Sequence, residues 1–381
     1  MAKPKIRFKG YQEDWEQRKL SDVVDSVDTG KSRFDKEGSS GKYPILGSTS
    51  VIGYDDEYDY EGDFILTARV GANAGGLYRH AGKVKISDNT VFIQASQNIE
   101  FLYQLLIQFD IKKLSFGTGQ PLVKASELKS LELMMPTDMK EQMRIGVYFK
   151  KLDHLITLHQ RKCDETKKLK KYMLQKMFPQ NGKKVPELRF SKFTDDWEQR
   201  KLPEFVSFFN GLTYTPDDVE ETGTLVLRSS NVKSGKIVDA DNVYVNDKVA
   251  TSENVQEGDI IVVVRNGSRA LIGKHAQIKD SMPNTVIGAF MSGMRSEHSS
   301  FVNALLDTSA FENEIAKNMG ATINQITGYM FSKMEFMIPS GEEQKKIGEY
   351  FSNLDNLITL HQRKYEELQK VKKFMLQNMF V

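Results

Sequence analysis

Side chains that donate forked or paired hydrogen bonds are grouped in short stretches next to apolar runs. Arginine matches the two acceptors on the major-groove edge of guanine, and asparagine or glutamine matches adenine there. Loops carried by a rigid sheet are a common place for such groups. We therefore treat them as candidate contacts to nucleic-acid bases. The candidates are Lys31, Arg33, Ser48, Arg69, Asn73, Thr118 and Gln120 in the first half of the chain, and Arg228, Ser230, Asn231, Arg265, Asn266, Ser268, Arg269, Asn324 and Gln325 in the second half.

Two of these candidates end matching strand patterns. The sequence EGDFILTARVG at residues 61–71 parallels EGDIIVVVRNG at residues 257–267, and in both an apolar run ends at an arginine two residues before a glycine. This alignment makes Arg69 and Arg265 equivalent. A shared arginine argues partly against base reading, because it can equally hold its loop or contact a phosphate. For every other candidate, a turn-forming role or a phosphate contact is the competing interpretation.

Catalytic motifs are missing from the sequence. The run Gly30-Lys31-Ser32 resembles the end of a P-loop, but Asp25 stands where the first glycine is required. Neither G-x-G-x-x-G nor H-E-x-x-H nor G-x-S-x-G occurs. The 6 histidines show no ligand spacing, and the single cysteine, Cys163, forms no thiolate cluster. We predict a binding protein without a catalytic or metal site of its own.

The elements that must position the candidate residues occur twice. Residues 141–178 match residues 343–380 at 25 of 38 positions, at a constant offset of 202. An earlier block, RFKGYQEDWEQRKL at residues 7–20, returns as RFSKFTDDWEQRKL at residues 189–202, 182 positions later. We call these repeated blocks the frame. Because the two offsets differ by 20, two similar frames hold inserts of different length.

The longer repeated block predicts a helix that pairs with its own copy. Apolar residues recur there at alternating spacings of four and three, which is the coiled-coil period. We predict two long antiparallel helices about an internal pseudo-twofold axis; the alternative is that each helix packs only on its own domain. These recurring residues form a stripe along each helix, and His159 and His361 lie on it. We interpret the two histidines as polar residues that set the register of the paired helices rather than as metal ligands. The residues expected to pair the helices or dock a partner are Leu152, Ile156, His159, Leu354, Ile358 and His361.

The inserts predict mixed α/β domains, since short β-type runs come first and a helical pattern follows at residues 99–113 and 301–318. The fold class is therefore α+β, with two mixed α/β domains joined by two long antiparallel coiled-coil helices with internal pseudo-twofold symmetry. We place the first domain at residues 1–136 and its helix at 137–182. The second domain is placed at residues 183–339 and its helix at 340–381.

Composition adds few constraints. The chain of 381 residues has a net charge of +2, too mild to indicate a polyanionic partner by itself. Residues 138–184 carry 13 Lys and Arg against 5 Asp and Glu, a basic stretch that is most simply a solvated helix face. Lack of an apolar leader, of a long apolar run and of paired cysteines predicts a cytoplasmic protein without a membrane span.

The duplicated RF…WEQRKL and LDxLITLHQRK blocks, each framing a different insert, resemble the specificity subunit of Type I restriction-modification systems over the whole chain. The resemblance implies two target-recognition domains on double-stranded DNA, each reading one half of a split site, with the paired helices fixing the spacer. Because the inserts differ, the site is expected to be asymmetric. Competing hypotheses are a non-catalytic coiled-coil scaffold or restriction adaptor, and a stand-alone enzyme with a cryptic site.

The resemblance also implies partners. Two methyltransferase subunits would carry S-adenosylmethionine, and restriction subunits would use ATP and magnesium, so that this chain binds no cofactor. The methyltransferases would dock on the frame, with residues 152–162 and 354–364 as natural candidates. Helix pairing and partner docking are both open explanations for the near identity of those two segments.

Overall fold

The computed structural model describes residues 3–33, 40–114, 121–180, 182–319 and 324–381, and forms two compact units. Unit 1 comprises Met1–Arg161 and Gln362–Val381, and unit 2 comprises Lys162–His361. The two long helices are α3 (Met139–Met177) and α7 (Gly341–Met379), and each contributes residues to both units. None of the helices within the described ranges is long and apolar enough to cross a membrane.

The described residues of unit 1 form a six-stranded sheet and a two-stranded ribbon. Its strands are β1 (Glu16–Lys19), β2 (Ser26–Thr29), β3 (Tyr43–Leu46), β4 (Val51–Asp55), β5 (Tyr60–Ala68), β6 (Leu77–Ile86), β7 (Thr90–Gln94) and β8 (Glu132–Met135). The sheet order is β2-β7-β5-β6-β3-β4, with β3 and β6 parallel, and β1 pairs with β8. Its short helices are α1 (Ile99–Phe109) and α2 (Ala125–Lys129), with 3-10 turns at Leu20–Asp22 and Ile111–Leu114.

The core of unit 1 joins α1 to both long helices. Phe380 packs edge-on against Trp15 at 6.1 Å between ring centroids and lies 5.7 Å from Phe149. Nearby, the ammonium of Lys372 is 2.5 Å from a carboxylate oxygen of Asp153. Residue numbers rise along α3 as they fall along α7, so the helix segments within unit 1 are antiparallel.

In its described part, unit 2 contains two four-stranded sheets and two ribbons. Its strands are β9 (Glu198–Lys201), β10 (Ser207–Asn210), β11 (Val219–Glu220), β12 (Thr224–Leu227), β13 (Val232–Lys233), β14 (Lys236–Ile237), β15 (Val243–Val245), β16 (Ile260–Val263), β17 (His275–Gln277), β18 (Thr285–Ile287), β19 (Met291–Arg295) and β20 (Glu335–Ile338). The sheet orders are β10-β19-β16-β17 and β11-β15-β12-β18, and the ribbons are β13-β14 and β20-β9.

Among the residues that the structure describes, unit 2 also has three short helices: α4 (Ser299–Leu306), α5 (Ser309–Asn318) and α6 (Gly328–Phe331). Its 3-10 turns are Leu202–Glu204, Pro216–Asp218, Ser229–Asn231 and Arg269–Leu271. Phe178 repeats in unit 2 the role of Phe380, since its ring lies 5.7 Å from Phe301 and 5.9 Å from Phe351. Each unit therefore places one helix-end phenylalanine in a mixed α/β core.

The ion pair between the long helices recurs in unit 2, where it gains a second carboxylate. In unit 2, the ammonium of Lys170 lies 2.6 Å from Asp355 and 2.7 Å from Asp307, and Asp307 also faces His275 at 3.4 Å. Burial raises the pKa of the Asp307 carboxyl, but hydrogen bonding to His275 and the charge of Lys170 outweigh burial and lower that pKa to about 2. The carboxylate therefore stays charged as long as unit 2 stays folded at ordinary pH.

The frame is also held by one buried ion pair per unit. Arg7 donates to the two carboxylate oxygens of Glu141 at 2.6 and 2.8 Å, and Arg189 donates to Glu343 at 2.7 Å twice. The hydrogen bond to Glu141 raises the pKa of the Arg7 guanidinium, and Glu343 does the same for Arg189. Each pair ties the segment before the first ribbon strand to the start of a long helix. We call these two pairs the frame clamps.

The six residues predicted to pair the helices or dock a partner are either buried or half-buried. Leu152 and Leu354 are buried in the cores of unit 1 and unit 2, respectively. Ile156, Ile358, His159 and His361 are half-buried. Within unit 2, the carbonyl of Ile358 accepts a hydrogen bond from the Cys163 thiol at 3.8 Å, so the helix segments meet here as well. The mixed α/β domains and long paired helices confirm the predicted fold class.

Candidate nucleic-acid interface

Three separate segments of unit 2 bring the predicted donors onto one surface. The Asn266 amide donates to Ser229 Oγ at 3.1 Å, and the Asn324 amide donates to the Gly267 carbonyl at 3.0 Å. Arg265 and Gln325 pair as a single antiparallel bridge. We call Ser229, Arg265, Asn266, Asn324 and Gln325 the unit 2 cluster. Its hydrogen bonds pre-organise groups that the sequence places almost 100 residues apart.

An aromatic ring absent from the sequence candidates supports this cluster. The guanidinium carbon of Arg265 lies 5.1 Å from the ring centroid of Phe290, which is a cation–π distance. Phe290 is 55% exposed although it lies between two strands of the core sheets. In the sequence it reads as an ordinary apolar core residue, and only strand pairing reveals that its ring is at the surface.

The loop that begins at Arg228 contains both surface and interior groups. Arg228 donates to the Asp241 carboxylate at 2.6 Å, whereas Ser230 is exposed. Asn231 is buried; its amide donates to the Ala240 carbonyl at 2.8 Å and its oxygen accepts from the Arg228 N–H at 2.9 Å. The Asn231 side chain is thus buried and holds the shape of the loop.

A cavity of about 630 Å³ adjoins the cluster and is lined by Tyr214, Arg228, Ser230 and Phe290 among others. Ser268 and Arg269 are exposed beyond it, and the Ser268 N–H donates to the Asn266 side chain at 2.9 Å. Arg269 opens a 3-10 turn and lines a second cavity with His275. The unit 2 cluster therefore lies beside a cavity that its Ser229 lines together with the exposed ring of Phe290.

In unit 1, the predicted residues gather around Asn89. Its carbonyl accepts from the Arg69 N–H at 2.9 Å and from Ser48 Oγ at 3.2 Å. The segment that carries Lys31 and Arg33 joins the same edge, because Ser32 N–H donates to Ile86 O at 3.0 Å. Lys31, Arg33, Arg69 and Asn73 are exposed. We call Lys31, Arg33, Ser48, Arg69 and Asn89 the unit 1 cluster.

Thr118 and Gln120 lie outside the described residues. As a group, the base contacts proposed from the sequence stay predictions. Asn89 was missed because an asparagine after a serine and an aspartate reads as a simple turn. Within the described ranges, no group of three or more His, Cys, Asp or Glu side chains is placed to hold a metal ion.

The backbone hydrogen bonds align the Arg69 loop of unit 1 with the Arg265 loop of unit 2 differently from the sequence alignment, by one residue. Arg69 N–H donates to Asn89 O at 2.9 Å, and Arg69 O accepts from Val123 N–H at 2.8 Å. Val264 makes the same two bonds, to Phe290 O at 3.0 Å and from Ile326 at 2.8 Å. The predicted equivalence of Arg69 and Arg265 is therefore wrong. A slip of one residue matters because successive side chains of a strand point to opposite faces.

Arg265 occupies instead the place that Val70 has in unit 1. Val70 bridges to Leu122 as Arg265 bridges to Gln325, both antiparallel. Phe290 correspondingly takes the place of Asn89. The two units thus use one backbone hydrogen-bond scheme at the end of the central strand and carry unlike side chains on it. Two sheet-based domains with such loop clusters, each packed on long helices, define a two-domain recognition protein.

Comparison with known proteins agrees with this class. The model of the Type I restriction modification DNA specificity domain matches residues 12–168 and 194–370. The chain belongs to this family of DNA specificity proteins and carries two copies of the domain. It is thus the DNA-recognition subunit of a Type I restriction-modification system, as the sequence predicted.

Individual relatives cover different shares of the chain. The Type I restriction enzyme MjaVIII specificity subunit of Methanocaldococcus jannaschii is 25% identical over 392 residues, covering 95% of this chain and 91% of that protein. The EcoKI specificity subunit of Escherichia coli K12 is 25% identical over 192 residues, 48% of this chain and 41% of that protein. The S subunit from M. genitalium has the same fold, with a TM-score of 0.75 at 16% identity over 100% of this chain and 99% of that one.

Proposed function

We propose that this chain reads a split, asymmetric site on double-stranded DNA, with one half read by each unit. In this proposal the loops of the unit 1 cluster lie against one half-site and those of the unit 2 cluster against the other. Partner subunits then methylate or cut the DNA, and this chain performs no catalysis itself. S-adenosylmethionine, ATP and magnesium are assigned to those partners.

Both units make the same backbone hydrogen bonds at the end of the central strand but carry different side chains there, and the proposal depends on this observation. The backbone hydrogen bonds of Arg69 in unit 1 recur at Val264 in unit 2. The next residue, exposed in both units, is Val70 in unit 1 and Arg265 in unit 2. A scaffold repeated in this way holds loops in similar poses, and a different set of side chains then selects a different set of base edges. An asymmetric site follows from two such readers on one chain.

Partner docking is supported by exposed leucines in the frame. Leu155 is 39% exposed and Leu357 is 45% exposed, and both occupy the same position of the LDxLITLHQRK block. Leu152 and Leu354, three residues earlier, are buried. Helix packing therefore accounts for the earlier leucine of each block, and it leaves the later one exposed. We propose that each exposed leucine contacts one of two methyltransferase subunits, and that restriction subunits join that complex.

The test is to express the full chain with its methyltransferase partners and sequence the methylated genome. We expect one two-part site whose halves differ, separated by unspecified bases. Replacing residues 21–135 by the corresponding insert of a relative should change one half and leave the other half and the gap as they were. A palindromic site for the intact chain, or a change in both halves after the exchange, would contradict the proposal.

A further inference from the structure

The places of Val70 and Leu122 in unit 1 are filled by Arg265 and Gln325 in unit 2. In both units the two residues face each other across an antiparallel bridge at the end of the central strand. Backbone bonds on either side fix this register, since Gly71 N–H donates to Pro121 O at 3.0 Å and Val123 N–H to Arg69 O at 2.8 Å. Corresponding loop positions thus carry an apolar pair in one unit and a donor pair in the other.

The apolar pair is at the surface and does not complete the core. Val70 is 38% exposed and Leu122 is half-buried. The core below is already closed by Ala68 and Val123, each fully buried. Val70 directly follows exposed Arg69 in the chain, so the apolar pair forms a small patch at the strand end that also carries Arg69 of the unit 1 cluster. Such a patch on a DNA-reading surface can contact the one apolar group on a major-groove edge, the 5-methyl of thymine.

We infer that Val70 and Leu122 select an A·T pair by contacting the thymine methyl group, at the position where Arg265 and Gln325 select a base by hydrogen bonding. Arginine pairs with guanine and glutamine with adenine in the major groove, so the donor pair reads a purine edge. The guanidinium of exposed Arg265 lies at a cation–π distance from the exposed ring of Phe290. The inference rests on the proposed function, because it assumes that the two clusters face DNA.

The first test replaces thymine by deoxyuridine, which removes the 5-methyl and leaves every hydrogen-bonding group in place. The complex of the full chain with its methyltransferase is titrated with duplexes of its own site, each with one thymine replaced in the unit 1 half. We expect binding to weaken about fourfold at one position, the effect of one buried methyl group. Uniform affinity across all replacements would overturn the inference.

Variants connect that loss to the named residues. The double variant Val70→Ala, Leu122→Ala should bind the thymine and uracil duplexes equally. Val185→Ala is the matched control, because Val185 is also an exposed valine, at 37%, but lies outside both clusters; this variant should keep the fourfold difference. The inference fails if the double variant keeps the difference as well.

A reciprocal exchange tests the positional equivalence. Val70→Arg with Leu122→Gln should replace the A·T preference at one position of the unit 1 half-site, read by methylome sequencing. The unit 2 half-site, still recognised by the same molecule, shows that the variant is folded and bound. Unchanged preferences at all positions would refute the inference while leaving the proposed function intact. Lack of any sequence-specific binding by the unaltered complex would refute both.

Discussion

The frame clamp of unit 1 gives a sharp test of what holds the repeated blocks together. Glu141 is 1% exposed at its side chain and Arg7 is 13% exposed, with two short hydrogen bonds between them. Glu141→Gln keeps the shape of the side chain but removes its charge and one acceptor. The guanidinium of Arg7 then lacks the carboxylate that binds two of its nitrogens. Breaking a buried pair in this way costs about 3–5 kcal/mol, and since one oxygen still accepts, we expect about 3 kcal/mol.

The two tryptophans make the measurement specific for each unit. Trp15 lies in unit 1 and Trp197 in unit 2, and they are the only tryptophans of the chain. Urea unfolding followed by fluorescence in a Trp197→Phe background therefore reports on unit 1. Glu141→Gln should lower the free energy of unfolding seen by Trp15. Glu343→Gln in the Trp15→Phe background should do the same for Trp197.

An exposed ion pair provides the matched control. Glu127 pairs with Lys124 at 3.1 Å on the surface of α2, also in unit 1. Glu127→Gln should cost less than about 1 kcal/mol, because exposed pairs are screened by solvent. If Glu141→Gln destabilised unit 1 no more than Glu127→Gln, the clamp would have no special role and the reasoning from burial would be wrong. A double change of Arg7 to Met and Glu141 to Leu should recover most of the loss, since no lone charge remains.

Three further predictions concern packing, pH and partner binding. Gly146→Ala should destabilise unit 1 by about 1 kcal/mol or more, because the added Cβ would lie 2.8 Å from the Phe101 nitrogen and this clash exceeds the gain in helix propensity; unchanged urea stability would refute it. Asp307 has a folded-state pKa of about 2, below its ordinary 3.8, so its contribution of about 1–2 kcal/mol is complete above pH 4 and lost as the pH falls towards 2. The unfolding free energy of Asp307→Asn should therefore fall less over this range than that of the unaltered chain, and parallel curves would exclude the assignment. Leu357→Asp should weaken binding of methyltransferase about tenfold in calorimetry without lowering the melting temperature, whereas equal binding would remove this residue from the docking surface.

The frame could be predicted from the sequence because its signals are local and occur twice. The heptad pattern and the duplicated blocks predict α3 and α7 without any knowledge of distant contacts. Glu141, however, shows in the sequence only as the first residue of the repeated block. Its buried bond to Arg7 joins residues 134 positions apart, and no periodicity indicates such a pair.

The loops were harder to predict for a physical reason. Aligning the two Gly-Asp motifs makes Arg69 and Arg265 equivalent, but the place of a side chain depends on which backbone groups pair at the strand end. That pairing involves Asn89 and Phe290, which lie beyond the aligned segment in each half. Sequence similarity therefore located the strands correctly and assigned the exposed positions one residue out of step.

This separation of frame from loop explains how one fold carries two unlike readers. The bonds that fix the strand end are made by backbone groups, and they are the same beneath Val70 and beneath Arg265. Side chains at that position contribute little to the core, which Val123 in unit 1 and Ile326 in unit 2 close from below. An apolar pair and a donor pair are therefore interchangeable for folding and different for recognition. It follows that exchanging Val70 and Leu122 for Arg and Gln should alter the DNA sequence that unit 1 reads while its free energy of unfolding changes by no more than about 1 kcal/mol, as for other surface substitutions.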